Sequence, residues 1–106
     1  MVNMILICAM KGDIFMTGMQ SSELFKIIGR NIKYYRKLYN LEKGKMTQEK
    51  LAELTDVSIA LIGNLESEKI EQGLSVFTLW KISKALEIPI EKLFDGVDDN
   101  YNSLQA

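Results

Sequence analysis

The stretch that decides the fold is TQEKLAELTDVSIALIGNLE, residues 47–66. Its apolar residues recur at the three- and four-residue spacing of helices with one buried face: Leu51, Ala52, Leu54, Val57, Leu61, Ile62 and Leu65. Thr47 and Ser58 each precede such a segment, where a hydroxyl can accept a hydrogen bond from a backbone N–H group of the first turn. Asp56 lies between the segments, and aspartate tolerates a left-handed turn better than most residues. The stretch therefore predicts two short helices joined by a tight turn.

Ala52 and the cap at Ser58 indicate how these two helices meet. A small side chain at Ala52 fits the crossing point, where a larger one would push the helices apart. Two short helices at this spacing, the second of which begins at a small polar cap, form a helix-turn-helix. Because the second helix of this motif can lie in the major groove of DNA, the stretch indicates nucleic-acid recognition.

Three further helices are predicted around this motif. Helical spacing of apolar residues indicates a first helix over about residues 22–39 and a fourth over about residues 75–86. The cations of the first helix are expected on its polar side: Arg30, Lys33, Arg36 and Lys37. The apolar residues that the fourth helix is expected to place in the core include Val76, Phe77, Leu79, Trp80 and Ile82. Pro89 suits the first turn of a short fifth helix, so the predicted class is all-α, with five helices around one core.

The charges of the chain are unevenly distributed. The whole sequence of 106 residues carries a net charge of −1, with 13 Lys and Arg against 14 Asp and Glu. Residues 26–94 hold 12 Lys and Arg against 9 Asp and Glu, a net +3, whereas the flanking residues carry −4. Phosphate binding needs local rather than overall positive charge, so this weak surplus predicts DNA binding of modest, salt-sensitive affinity.

Residue types alone exclude several kinds of site. A single cysteine, Cys8, excludes a disulfide framework within the chain, and without histidine no zinc site of cysteine and histidine ligands can form. No nucleophile lies beside a base, and no glycine-rich loop cradles a phosphate, so no enzyme, cofactor or small-molecule ligand is predicted. The acidic stretch DGVDDN, residues 95–100, lacks the ligand spacing of a calcium loop.

The two ends of the chain differ from the helical body of residues 22–94. In residues 1–21 the apolar run Met4–Met10 is too short to span a membrane and lacks the features of a secretion signal, so a cytoplasmic protein is expected. This run is either a short strand that pairs with its copy or with a partner, or part of a leader ahead of a translation start at Met16 or Met19. Residues 95–106 are predicted to form an acidic, polar tail.

Four segments in order carry a resemblance to a known family: IGRNIKYYRK, MTQEKLAELTDVS, IALIGNLES and LWKISKALEIPIEKLF. Over about residues 28–94, the chain resembles the lambda-repressor-like helix-turn-helix domain of the XRE/Cro family of transcription regulators. The resemblance implies a sequence-specific regulator of double-stranded DNA, commonly a homodimer on a pseudo-palindromic site. The fifth helix, the N-terminal run and the acidic tail are the candidate dimer contacts.

The same resemblance supplies candidates for contacts with the DNA backbone. It implies that Gln48, which opens the second helix, contacts a phosphate and can brace the recognition helix. Arg30 and Arg36 match positions where family members often carry phosphate-contacting basic residues. With the neighbouring polar and cationic residues, the phosphate candidates are Arg30, Arg36, Lys45, Thr47, Gln48, Lys50 and Lys69.

The predicted recognition helix has an apolar outer face. Because the intervening residues are needed inside, the groove-facing candidates are Ser58, Ile59, Ala60, Gly63 and Asn64. Ile59 and Ala60 suit thymine methyl groups, whereas Asn64 alone can make a bidentate base contact, which discriminates by about 1–3 kcal/mol. Modest sequence discrimination, helped by DNA shape, is therefore expected.

Three positions depart from the family pattern. Asp56 stands where a glycine is common, Ile59 stands where a polar or basic base-reading residue is common, and the loop SEKIEQGLS, residues 67–75, is about two residues longer. The apolar face and the low net charge leave a second interpretation open. In it, the same fold serves as a protein-interaction module with little or no DNA binding.

Overall fold

The computed structural model describes residues 20–97, which contain helices and no strand. The elements are α1 (Ser21–Glu42), α2 (Gln48–Thr55), α3 (Ile59–Ser67), α4 (Val76–Leu86) and a 3₁₀ helix (Ile90–Phe94). The predicted all-α class is confirmed. The apolar spacing and the two caps predict the helices of the motif over about residues 48–55 and 59–67, and α2 and α3 have these bounds. In contrast, α1 continues to Glu42, and the fifth element is a 3₁₀ helix.

The turn between α2 and α3 has the geometry expected from its residues. The Thr47 hydroxyl accepts a hydrogen bond from the Lys50 amide at 3.0 Å, and the Ser58 hydroxyl accepts one from the Leu61 amide at 3.1 Å. Asp56 adopts the left-handed conformation, with φ 55° and ψ 48°. Both predicted caps and the predicted turn residue are therefore confirmed. Together they set the direction in which α3 leaves α2.

The core forms where all five elements meet. Its buried apolar residues are Ile28, Ile32, Met46, Leu51, Ala52, Ile62, Leu65, Leu79, Ile82, Leu86 and Leu93. Burial of a large aliphatic side chain of this kind stabilises a fold by about 1.5–3 kcal/mol. Since α3 supplies Ile62 and Leu65 to this core, one side of that helix is committed to packing.

Gly29 allows α1 and α3 to approach closely. A Cβ atom at this position would lie 1.8 Å from the carbonyl oxygen of Leu65, so no larger residue fits without moving one of the two helices. Glycine in a helix interior costs about 1 kcal/mol relative to alanine. At Gly29 this loss of helix stability is tolerated because the absence of a side chain lets the backbones of α1 and α3 come into contact.

The 3₁₀ helix is fastened to α1 by polar side chains. The Asn31 amide donates to the carbonyl oxygens of Leu93 and Asp95, at 2.9 Å each. The Tyr35 hydroxyl donates to Asp95 Oδ2 at 2.7 Å. This hydrogen bond to a carboxylate, together with partial burial, raises the pKa of Tyr35 to about 12. The chain after α4 is therefore held back along the first helix.

The outer face of α4 corrects one sequence expectation. Val76, Phe77 and Trp80 were predicted in the core, but they are 78%, 63% and 46% exposed. The helix instead buries Leu79 and Ile82, as predicted. Because α4 is apolar around most of its circumference, spacing alone did not identify the buried side.

Some sequence expectations lie outside the described residues. These are the alternatives for Met4–Met10, the possible starts at Met16 and Met19, the environment of Cys8, and most of the acidic tail. Within residues 20–97, no helix has both the length and the apolar character needed to cross a bilayer.

Candidate functional site

The outer edge of α3 carries the predicted groove-facing residues. Ser58, Ile59 and Ala60 are exposed, while Gly63 and Asn64 are partly exposed. Residues 59, 60, 63 and 64 share one side of the helix because of its 3.6-residue period. The structure thus brings these residues to one edge, and the cap residue Ser58 stands at its start.

The loop before α2 is held in place by backbone and side-chain hydrogen bonds. The carbonyl oxygen of Met46 accepts from the Asn40 amide at 2.9 Å and from Arg36 Nη1 at 3.1 Å. The Met46 amide donates in turn to Asn40 Oδ1. Since Met46 directly precedes Thr47 and Gln48, these bonds fix where α2 begins.

Gln48 links the start of α2 to the end of α3. Its Nε2 atom donates to Glu66 Oε1 at 3.0 Å. Its Oε1 atom lies 3.6 Å from the position that a Cβ on Gly63 would take. The expected bracing of the recognition helix by Gln48 is therefore present, whereas its phosphate contact stays a prediction.

Arg36 is a correction to the phosphate candidates. Its Nε and Nη2 atoms donate to Glu66 Oε2 and Oε1 at 2.8 and 2.9 Å. The Arg36 side chain is only 11% exposed, and that of Glu66 only 2%. A guanidinium group held this way in the interior has no access to a phosphate, so the expectation for Arg36 is wrong.

The sequence did contain a signal for this buried pair. Arg36 follows Ile28 and Ile32 at intervals of four residues, which places it on the buried stripe of α1 rather than on the polar side. Glu66 follows Ile62 at the same interval in α3. Opposite charges on two buried stripes indicate an internal ion pair, and sequence reasoning missed it.

The remaining phosphate candidates form two groups. At the start of α2, Lys45, Thr47 and Lys50 line a shallow surface depression together with Glu49 and Glu53. Lys50 Nζ lies 3.7 Å from Glu53 Oε1, which is a loose surface pair. This end of the site is thus mixed in charge, with two lysines beside two glutamates.

The second group lies at the C-terminal end of α3. Arg30 Nε on α1 is 3.7 Å from Glu68 Oε1, and both side chains are about half exposed. Lys69 follows directly and is exposed. Because exposed pairs at this distance contribute little, Arg30 can exchange Glu68 for another anion at small cost.

Asn64 is held by a residue that sequence reasoning did not single out. Asn64 Nδ2 donates to Gln72 Oε1 at 3.2 Å, and Gln72 Nε2 donates to the carbonyl oxygen of Gly73 at 2.9 Å. Gln72 belongs to the loop predicted to be longer than usual. At Gln72 this loop returns to the outer edge of α3, where it orients Asn64.

Comparison with known proteins agrees with this geometry. A family model described as helix-turn-helix matches residues 32–93, more than half of the chain. The match begins in the middle of α1, ends in the 3₁₀ helix and includes the whole outer edge of α3. No curated protein and no solved structure matches the chain.

Proposed function

We propose that this chain, which belongs to the lambda-repressor-like helix-turn-helix family, is a sequence-specific DNA-binding transcription regulator of the XRE/Cro type. The observation that supports this most is the presentation of α3. Ile62 and Leu65 hold one side of the helix in the core, while Ile59 and Ala60 face solvent on the other. A rigid helix with a free edge is what entry into a major groove requires.

In this proposal, contacts to the sugar–phosphate backbone position the protein on the duplex. Gln48, Lys45 and Lys50 contact one side of the groove from the start of α2. Arg30 and Lys69 act at the other end of α3, where Arg30 releases Glu68. The mixed charges around Lys45 and Lys50 predict moderate affinity with a clear dependence on salt.

In this proposal, a small set of side chains contacts the bases. Ile59 and Ala60 pack against thymine methyl groups, and Asn64 hydrogen-bonds a base edge. Asn64 already has a partner in Gln72, so that contact either uses its remaining amide atoms or replaces the existing bond. Two copies on a pseudo-palindromic site double this limited readout, so we propose a homodimer that acts on cytoplasmic DNA.

A second candidate function is a protein-interaction module. It is favoured by Ile59, which is 49% exposed at the N-terminal end of the outer edge of α3. In that case the same edge receives an apolar surface of a partner protein, and the lysines near it are solvated surface charges.

Salt-dependent binding to DNA separates these two functions. Fluorescence polarisation of a labelled random-sequence duplex pool should give affinity that falls steeply as salt rises. Replacing both Lys45 and Lys50 by glutamine should lower the log–log slope by up to about 1.8, since each neutralised phosphate contributes about 0.9. Lys92→Gln, an exposed change in the 3₁₀ helix, should leave the slope unchanged.

The absence of any polarisation change at low salt would contradict the DNA-binding proposal and favour the protein-interaction module. Equal slopes for the wild type and the double variant would remove Lys45 and Lys50 from the phosphate contacts.

A further inference from the structure

The loop between α3 and α4 places Gln72 beside the outer edge of α3. The two residues that follow hold the loop on the body of the protein. A Cβ atom on Gly73 would lie 3.3 Å from Phe25 Cε2 on α1, and the next residue, Leu74, packs against the core. From this anchored position the Gln72 side chain reaches Asn64, and its Oε1 atom accepts from Asn64 Nδ2 at 3.2 Å. The loop thus holds a side chain on the surface proposed to enter DNA.

A backbone group sets the polarity of this contact. Gln72 Nε2 donates to the carbonyl oxygen of Gly73 at 2.9 Å, and a carbonyl oxygen can only accept. The other end of the Gln72 amide is therefore its oxygen, which also can only accept. The atom that Asn64 turns toward it must then be Nδ2, as observed. Two hydrogen bonds in series thus allow one orientation of both amides.

The bond to Gln72 determines what Asn64 has left to offer a base. A side-chain amide carries two N–H donors and one acceptor oxygen. Within residues 20–97, the Asn64 side chain makes this hydrogen bond through one N–H. The second N–H and Oδ1 are therefore available on a partly exposed side chain, as one donor beside one acceptor.

The four bases differ in how well they match such a pair in the major groove. Adenine presents an acceptor, N7, next to a donor, the N6 amino group, which matches one donor beside one acceptor. Guanine presents two acceptors, N7 and O6, and would need both N–H groups of the amide. Cytosine presents a donor, and thymine an acceptor beside its methyl group, so each satisfies only half of the pair.

We propose that Gln72 sets the base preference of Asn64, by holding one of its N–H groups so that the amide binds adenine and rejects guanine. Gln72 is a positioning residue, since it acts through Asn64 rather than on the base. The inference rests on the proposed function, because it requires the outer edge of α3 to lie in the major groove. It also specifies how Asn64 binds: the bond to Gln72 stays in place, and the remaining amide atoms contact the base.

Selection from a random DNA library with the wild type, Asn64→Ala and Gln72→Met tests this assignment. The position whose preference relaxes in Asn64→Ala is the one that Asn64 contacts. In the wild type it should be adenine, preferred over guanine by about fivefold to a hundredfold. Methionine is similarly long and unbranched, but its sulfur is only a weak acceptor. Gln72→Met should therefore lower that preference about two- to tenfold, the contribution of one hydrogen bond, and leave the other positions unchanged.

Glu71→Gln is the matched control, since it changes an exposed side chain at the neighbouring loop position. Its base preferences should equal those of the wild type. Nuclear magnetic resonance of the free proteins adds a measurement that needs no DNA. In Gln72→Met, the Asn64 N–H proton that is bonded to Gln72 in the wild type should move upfield and exchange faster with water.

Three outcomes would overturn the inference. One is a base other than adenine at the position that depends on Asn64. Another is the same adenine preference in Gln72→Met and the wild type, and the third is an Asn64 amide signal that Gln72→Met leaves unchanged. The first two leave the DNA-binding proposal standing, because the wild type still enriches a site. The absence of any enrichment by the wild type would instead contradict both proposals.

Discussion

Replacement of Gly29 by alanine is expected to lower the free energy of unfolding by about 3 kcal/mol or more. The added Cβ would lie 1.8 Å from the carbonyl oxygen of Leu65, and both the obstacle and the attachment point are backbone of packed helices. No side-chain rotation can relieve this overlap, so α1 and α3 must separate. Alanine is intrinsically the better helix former by about 1 kcal/mol, which makes a large loss of stability diagnostic of the contact.

Gly63→Ala is the matched control for this change. Gly63 also lies within a helix, but a Cβ there meets only Gln48 Oε1 at 3.6 Å, an ordinary contact distance. Urea unfolding monitored by circular dichroism should show unchanged or slightly increased stability for Gly63→Ala. Equal stability of Gly29→Ala and the wild type would contradict the close helix contact.

Removal of the Glu66 carboxylate should have an effect of similar size. Glu66→Ala leaves the Arg36 guanidinium buried without its anion, and breaking a buried pair in this way costs about 3–5 kcal/mol. Gln48 loses its acceptor in the same variant, so the start of α2 loosens from α3. Glu53→Ala, which removes an exposed carboxylate 3.7 Å from Lys50, should change stability by less than about 1 kcal/mol.

A double variant separates charge from packing. Arg36→Met combined with Glu66→Leu removes both charges and keeps side chains of similar size, so most of the lost stability should return. Denaturant unfolding of the single and double variants measures this recovery. A double variant as unstable as Glu66→Ala would show that the pair is needed for its hydrogen bonds, including the one from Arg36 to Met46, rather than for charge balance.

Much of the fold was predictable because it depends on local chemistry. Thr47, Ser58 and Asp56 mark the start of α2, the start of α3 and the turn through interactions within a few residues of each. Spacing alone identifies the buried residues Leu51, Ala52, Ile62 and Leu65, but it is wrong for Leu54, which is 50% exposed. For these elements, local preference and tertiary packing favour the same structure.

The sequence predictions were wrong or missing for residues whose burial depends on contacts with distant parts of the chain. Arg36 was assigned to the surface because it is a cation, yet its partner Glu66 lies thirty positions away in the chain. The role of Gly29 was not predicted at all, because it depends on the position of the Leu65 carbonyl oxygen in α3. Trp80 is apolar at helical spacing, but whether it faces the core depends on how α4 sits on α2.

The sequence predicted which residues form the outer edge of α3, but not how each side chain on that edge is oriented. The exposed side of α3 follows from the burial of Ile62 and Leu65. The orientation of Asn64 does not, because it depends on Gln72, which the longer loop carries back to the helix. Loop paths of this kind have no periodic pattern in sequence from which to infer them.

Selection of bound duplexes from a random DNA library, with wild type and Asn64→Ala in parallel, tests the central claim most directly. If the outer edge of α3 reads bases, the wild type enriches a site with two related half-sites. Asn64→Ala should then enrich the same site with relaxed preference at one position in each half, because one bidentate contact is lost. Identical base preferences for the two proteins, or no enrichment by the wild type, would contradict recognition through this edge.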